Sequence, residues 1–202
     1  MATADGTGDP ERLLTTEGRT LIPSSFSPDG RHVLLTSYDG DIAILDVEEG
    51  GAPTPLLDSR FREFQPSFSP DGRFITYASN QSGRIEVFVQ PFPSLDHRLQ
   101  VSTQGGREPV WSRDGTELFF LQGQTLMAVD VSIGGSGDLT AGLPHPLFND
   151  AFVGSFDSFV TSYDVAEDGR FLVARSLERG SAVGFHLVLG WFDELTALPP
   201  RR

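Results

Sequence analysis

The residues with the most regular chemical spacing are four aspartates, each followed by glycine. Asp29, Asp71, Asp114 and Asp168 follow one another at intervals of 42, 43 and 54 residues. Carboxylates that converge on one point suit Ca²⁺ or Mg²⁺, because these cations take oxygen ligands. One aspartate per repeat, each in the same kind of turn, instead distributes the carboxylates around a rim. The spacing therefore predicts turn-forming residues and no metal site.

No pattern in the chain matches a hydrolase or zinc motif. The sequence has no Gly-x-Ser-x-Gly elbow and no cysteine, and none of its four histidines has zinc-ligand spacing. Those histidines are His32, His97, His145 and His186. A Ser/His/Asp triad assembled from separate repeats stays open, because such triads are recognised by geometry and not by sequence order. The sequence favours a binding protein over an enzyme and predicts no cofactor.

The aspartates belong to a longer repeat. The stretch SFSPDGR occurs at 25–31 and again at 67–73, and related copies cover 109–131 and 162–190. The first two copies place Ser, Pro, Asp and Gly as in a type I turn with a left-handed glycine, the other two keep the Asp-Gly pair, and apolar strands flank each turn. A period near 42 residues is that of one four-stranded propeller blade. We predict an all-β propeller with four four-stranded blades.

The blades are predicted to form a single domain over residues 1–202. Their approximate bounds are 17–57, 58–102, 103–148 and 149–190, with outer strands at 54–57, 98–102 and 145–148. The last copy has no outer strand of its own, so we expect ERLLT at 11–15 to supply it and to close the ring. Residues 191–202 are predicted to form a cap segment, which contains a short helix with one apolar face.

The Ser-Pro-Asp-Gly repeats resemble those of TolB-type β-propellers over nearly the whole chain. EPVWSRDGTELFFLQGQTLMAVDV, then YDVAEDGRFLVAR and LVLGWFDELTAL, also resemble the C-terminal propeller of bacterial eukaryotic-like Ser/Thr kinases. The resemblance implies a sensor or scaffold part of a bacterial signalling or envelope protein, in an extracytoplasmic location. TolB-type propellers usually have about six blades, and this chain has four copies of the repeat.

The predicted binding surface is the rim opposite the Ser-Pro-Asp-Gly turns, which we call the loop rim. It comprises the connections from outer to first strands and the turns from second to third strands, where the repeat is irregular. Arginines there can form paired hydrogen bonds with carboxylates or phosphates, and acidic side chains can bind basic groups. Solvated surface charge is the alternative for every candidate. The candidates are Arg60, Arg62, Glu63, Arg107, Glu108, Asp39 and Asp157.

The charge balance restricts the partners. The 28 acids and 15 bases give a net charge of −13, which disfavours nucleic acid and anionic membrane surfaces. No apolar run approaches the ~18 residues of a membrane span, so no membrane insertion is expected. The compartment stays open from the residues alone.

Two function classes follow. The first is a module that binds a protein, peptide or small molecule on the loop rim. The second is a hydrolase, of esterase, lactonase or glycosidase type, with its site in the central channel or at a subunit junction. A homodimer is predicted, since the bulky Phe26, Phe68 and Trp111 suit an eight-bladed ring of two chains. A closed four-bladed monomer satisfies the same strand edges.

Overall fold

All regular structure in the described part of the chain is antiparallel β-sheet. The structure is a computed structural model that describes residues 14, 18, 20–135, 137–152, 159–175 and 184–188, the last of these as a strand without its side chains. The strands there form four sheets, which we label A to D in chain order. No helix in these residues is long and apolar enough to cross a membrane.

Sheets A and B each contain four strands in sequence order. Sheet A consists of β1 (Leu21–Phe26), β2 (His32–Ser37), β3 (Ile42–Asp46) and β4 (Thr54–Leu57). Sheet B consists of β5 (Glu63–Phe68), β6 (Phe74–Ser79), β7 (Glu86–Pro91) and β8 (Leu99–Gln100). In both sheets the outer strand lies where the sequence predicts it, at 54–57 and within 98–102.

Sheet C departs from the predicted four strands. It consists of β9 (Arg107–Trp111), β10 (Glu117–Gln122), β11 (Thr125–Ile133), β12 (Leu139–Ala141) and β13 (His145–Asn149). The nine-residue β11 pairs with the predicted outer strand β13 through its first half and with β12 through its end. Sheet D is described as β14 (Tyr163–Val165), β15 (Phe171–Arg175) and β16 (Gly184–Val188).

The four Asp-Gly turns are confirmed. The glycines of the four pairs all have positive φ, between 72° and 78°. In the first turn, the Gly30 N–H donates to the Ser27 carbonyl at 2.9 Å, and the Ser27 hydroxyl donates to the Asp29 carboxylate at 2.5 Å. The Ser27 hydroxyl and the Arg31 N–H hold the pKa of Asp29 below its usual value. This carboxylate therefore serves the turn.

Apolar residues hold neighbouring sheets face to face. Sheets A and B enclose a cluster around Leu34, Ile75 and Tyr77, and sheets B and C enclose one around Val87 and Phe120. A third cluster lies between sheets C and D. The core is therefore divided into layers between sheets, and the first strands of the sheets are left to face one another at the centre.

The predicted ring closure falls largely outside the described residues. Of the predicted strand 11–15, only Leu14 is described, and its side chain packs against Val33, Leu35 and Leu45 on the face of sheet A that is turned away from sheet B. The predicted cap at 191–202 lies entirely outside the described residues.

Gly72→Ala should destabilise the protein more than Arg73→Ala. A left-handed φ costs an L-residue about 1–2 kcal/mol, and a Cβ at Gly72 would lie 3.2 Å from Pro28 Cδ. Arg73→Ala removes a surface ion pair with Asp71, worth about 0–1 kcal/mol, and a long contact of the exposed guanidinium with the Phe74 ring, 5.9 Å from its centroid. Gly30→Ala isolates the cost of φ, since a Cβ there meets nothing within 4 Å. Equal melting temperatures for the Gly72 and Arg73 variants would contradict the turn assignment.

Candidate functional site

A buried carboxylate links three sheets at the centre of the molecule. The Glu108 side chain is fully buried in β9, and its Oε2 accepts hydrogen bonds from the Ser162 N–H at 2.7 Å and the Ser162 hydroxyl at 2.5 Å. Its Oε1 accepts from the Arg107 guanidinium, which is itself 8% exposed. The Glu108 N–H donates to Gln65 Oε1 of sheet B at 2.8 Å. We call Gln65, Arg107, Glu108 and Ser162 the hub.

The hub also draws in a tyrosine of sheet D. The buried Tyr163 hydroxyl donates to the Glu108 carbonyl at 2.7 Å. Burial, reinforced by the charge of Glu108, raises the pKa of Tyr163 well above its usual value. The phenol therefore stays protonated and acts as a hydrogen-bond donor.

The backbone conformation of Gln65 and Glu108 determines where these two hub side chains point. Gln65 and Glu108 have φ of 55° and 57°, and each is followed by a proline. The pairing of β5 with β6 and of β9 with β10 shifts register at these positions, as in a β-bulge. Because the bulge turns the residue out of the sheet, the Gln65 side chain reaches β9 and the Glu108 side chain reaches Ser162, directly before β14.

The first strands of all four sheets line a common space, which we call the central channel. One cavity of about 360 Å³ is lined by residues of β1, β5, β9 and β14, together with Phe159, Val160 and Thr161. A second cavity of about 310 Å³ extends toward the Ser-Pro-Asp-Gly turns. The two adjoin, because both are lined by Ser67, Val110 and Asp164.

An aromatic patch lies at the loop-rim end of this channel. Tyr38, in the turn between β2 and β3, is 67% exposed and packs against Phe159 with ring centroids 5.1 Å apart. Val160 is 63% exposed, and it lines the larger cavity with Phe159. We call Tyr38, Phe159 and Val160 the rim patch; it joins sheet A to the segment that precedes sheet D.

The predicted rim residues between sheets A and B differ in exposure. Asp39 and Arg60 are exposed, and the Arg60 guanidinium lies 4.8 Å from the centroid of the Phe61 ring. Arg62 is half-buried and lies against Gly40. The Glu63 N–H donates to the Gly40 carbonyl at 2.5 Å, so the turn that carries Asp39 is docked on the start of β5.

Glu63 is a buried acid and not a rim charge. Its side chain is 4% exposed, Oε1 accepts from the Ser59 hydroxyl at 2.7 Å, and no described group donates to Oε2. Burial raises the pKa of Glu63, and the charges of Asp41 and Asp58 add to the rise. The folded state therefore holds this proton more tightly than the unfolded chain. Its contribution to stability is present below the unfolded pKa and is lost as the pH rises through the folded pKa.

Comparisons with known proteins match the repeats. No protein-family model matches the chain. The Tol-Pal system protein TolB of Hydrogenovibrio crunogenus is 30% identical over 95 residues, which are 46% of this chain and 22% of that protein. The uncharacterized peptidase YuxL of Bacillus subtilis is 26% identical over 123 residues, 54% of this chain and 19% of that protein. The chain spans less than half the length of the curated relatives it matches.

The structural match is broader. The crystal structure of TolB from Acinetobacter baumannii superposes with a TM-score of 0.64 at 17% identity, over 91% of this chain and 43% of that one. The chain has the fold of the TolB-type β-propellers. This confirms the resemblance drawn from the Ser-Pro-Asp-Gly repeats.

In this TolB-type propeller the seven predicted binding residues do not form one site. Asp39, Arg60, Arg62 and Glu63 gather where sheets A and B meet, whereas Arg107 and Glu108 lie in β9 and belong to the buried hub. Asp157 lies outside the described residues. Their role in binding stays a prediction.

Sequence reasoning missed most of the hub of this TolB-type propeller, although the repeat contains a signal for it. Gln65, Glu108 and Ser162 each stand six residues before the aspartate of an Asp-Gly pair. The equivalent residue of the first copy is Pro23. These three polar residues occupy one repeat position, within or directly before the first strand of each sheet. The shared position indicates a shared hydrogen-bonding role between sheets.

Glu108→Ala should be among the most damaging single changes. It leaves the Arg107 charge buried and the Ser162 N–H without its acceptor, which costs about 3–5 kcal/mol. Ser162→Ala removes one hydroxyl donor to the carboxylate and should cost about 1.5–3 kcal/mol, less than Glu108→Ala. Urea unfolding of both variants measures the difference.

The double variant Arg107→Met/Glu108→Gln tests whether the buried Arg107 charge causes the loss of stability in Glu108→Ala. It removes both charges and keeps an amide oxygen as acceptor, so it should be more stable than Glu108→Ala. If the double variant is as unstable as Glu108→Ala, the buried charge is not the source of the loss.

Proposed function

We propose that this chain is a protein-binding propeller module of a bacterial envelope or signalling protein, with the loop rim as its binding surface. An extracytoplasmic location is part of the proposal. It is supported by the likeness to TolB, which is named as a protein of the Tol-Pal system. The observation that carries it is the exposed rim patch at the mouth of the channel.

The rim patch has the composition of a contact surface. Large aromatic and aliphatic side chains that stay exposed together are uncommon on a monomer surface and often mark interaction sites. Tyrosine is enriched among the residues that dominate binding energy, because its ring buries a large area at little entropic cost. Tyr38 is 67% exposed although its ring packs on Phe159, so a partner can still cover it.

Charged residues on the same rim can orient a partner as it binds. We propose that the exposed Asp39 and Arg60 contact the partner directly, because rim charges steer association. Arg62 and Glu63 support this surface from below, since they lie against the turn that carries Asp39. Arg107 and Glu108 contribute through the hub, by fixing the first strands that surround the channel mouth.

Photocrosslinking in the native host tests the surface. A benzoylphenylalanine placed at Tyr38 should give a discrete protein adduct, because the side chain is exposed on the rim patch. The same group at Leu143, which is 89% exposed and lies between β12 and β13, is the matched control. Adducts of equal yield at both positions, or none at Tyr38, would contradict the proposed surface.

The hydrolase alternative stays a prediction. The relative named as a peptidase matches this chain over only 19% of its own length. The described His32 imidazole lies 3.8 Å from Asp46 Oδ2 and edge-on to Phe92, at the rim of the Ser-Pro-Asp-Gly turns. This position lies away from the rim patch, and no described observation favours a reaction there.

We infer that the four sheets are four blades of one ring that closes within the chain. The contact of Tyr38 with Phe159 and the shared lining of the channel support this inference. Phe68 and Trp111 are buried between sheets and do not demand a wider ring, whereas Phe26 is 56% exposed and lines the smaller cavity. The packing of Leu14 on the free face of sheet A supports the predicted closure by residues 11–15.

The homodimer stays a prediction from the sequence, and the mass in solution tests it. Sedimentation should give the chain mass of 22.0 kDa if the ring closes within one chain. A species of about 44 kDa, twice the 22.0 kDa of one chain, would instead favour the eight-bladed ring of two chains. Measurement at several micromolar concentrations and modest salt distinguishes the two outcomes.

A further inference from the structure

The central channel has one level at which the four sheets present different side chains. Ser25, Ser67, Val110 and Asp164 each stand four residues before the aspartate of an Asp-Gly pair. All four line the cavity on the side of the Ser-Pro-Asp-Gly turns. Two hydroxyls and one carboxylate therefore face the channel at equivalent positions of sheets A, B and D. We call these four residues the channel ring.

Asp164 is the only acid among the described residues that line the two cavities. Its side chain is 64% exposed, and its Oδ1 accepts from the Val165 N–H at 2.8 Å. Its Oδ2 lies 3.5 Å from Nη2 of Arg113, the only base among the same lining residues. The Arg113 Nε donates to the Val165 carbonyl at 3.1 Å, which anchors this cation beside the ring.

We propose that the channel ring binds a primary ammonium group carried on a short apolar stem. An ammonium has three N–H donors and no acceptor, and the ring offers acceptor oxygens on Asp164, on Ser67 and on Ser25, whose hydroxyl also accepts from the Phe68 N–H at 3.2 Å. The carboxylate supplies the opposite charge, and the net charge of −13 attracts cations to the channel. The ring lies where the two cavities meet, whereas Phe159 and Val160 of the rim patch line only the larger cavity.

The walls on either side of the ring suit the stem. Pro66, Pro109 and Val110 line the larger cavity, and Phe26 and Trp111 line the smaller one. Cavities of about 360 and 310 Å³ can hold a benzyl-sized group.

Arg113 competes for the same carboxylate. Its contact with Asp164 Oδ2 is long, and both side chains are more than half exposed, so the pair contributes little stability. A bound ammonium can therefore displace the Arg113 guanidinium from Oδ2 at small cost. Removing Arg113 should strengthen ammonium binding, which a merely structural role for Asp164 does not predict.

Calorimetric titration of the full chain with benzylamine tests the ligand class. Benzyl alcohol keeps the ring and loses the charge, and trimethylbenzylammonium keeps the charge and loses the N–H donors. Benzylamine should bind at least about 10-fold more tightly than either, since a charge-assisted hydrogen bond is worth about 1.5–3 kcal/mol. Equal binding of all three compounds, or no detectable binding of benzylamine, would overturn the proposal.

Variants of the channel ring test whether benzylamine binds there. Asp164→Asn keeps the acceptor for the Val165 N–H and removes the charge, so benzylamine affinity should fall about 10- to 100-fold. Glu167→Gln is the matched control, since it removes an exposed charge in the turn that follows β14 and should leave affinity unchanged. Arg113→Gln should raise the affinity. Unchanged affinity in both Asp164→Asn and Arg113→Gln would place the amine elsewhere.

The same assay distinguishes two sources of the ammonium group, a lysine side chain of a partner and a free amine. Acetyl-Gly-Lys-Gly-amide carries its only amine on a lysine side chain, so tighter binding of this peptide than of benzylamine assigns the ring to a partner's lysine. The reverse order assigns it to a free amine. Crosslinking at Tyr38 does not involve the ring, so failure of the rim-patch proposal and failure of this one are distinguishable.

Discussion

The buried carboxylate of Glu108 is the constraint on which the arrangement of sheets B, C and D depends. A carboxylate in the interior is costly unless a cation and hydrogen-bond donors surround it. Arg107 and Ser162 provide these partners, and Gln65 accepts from the Glu108 backbone. The apolar layers hold neighbouring sheets together, but the hydrophobic effect does not depend on the orientation of the groups and so does not fix the angle between sheets. The hub adds directional bonds, so it fixes how far and at what angle neighbouring sheets lie.

The same constraint explains the shape of the inner strands. Gln65 and Glu108 reach the next sheet only because the backbone adopts a left-handed φ at each of them. The proline that follows each residue has no N–H to donate, and it lies on the inner edge, where the strand has no further partner. Bulge and proline together leave an open channel with inner edges that cannot readily pair with another strand.

Local features of the fold were predictable from the sequence, and non-local burial was not. The turns follow from side chains that bond to backbone two to five residues away, as Ser27 and Asp29 do. The additional β12 pairing extends a strand past its expected end, and no local signal marks that extension. The sequence predicts Arg107 and Glu108 on the loop rim because they end an irregular connection from an outer to a first strand, and such connections usually face solvent. Their burial depends on Ser162, 54 residues along the chain.

Comparison of the copies shows where chemistry can differ without loss of the fold. Ser27, Ser69 and Ser112 hydrogen-bond to backbone in the same way, so each is tied to the shape of its turn. The fourth copy has Ala166 at this position and still closes its turn through the Gly169 N–H. In the channel ring, Val110 bonds to nothing polar through its side chain, whereas Asp164 carries a charge at the same level. Within the ring, the Ser25 hydroxyl accepts from the Phe68 N–H and Asp164 Oδ1 accepts from the Val165 N–H, but the Asp-Gly turns and the strand pairing are made by other groups. The side chains at this level can therefore differ between copies while the turns and the sheets stay the same.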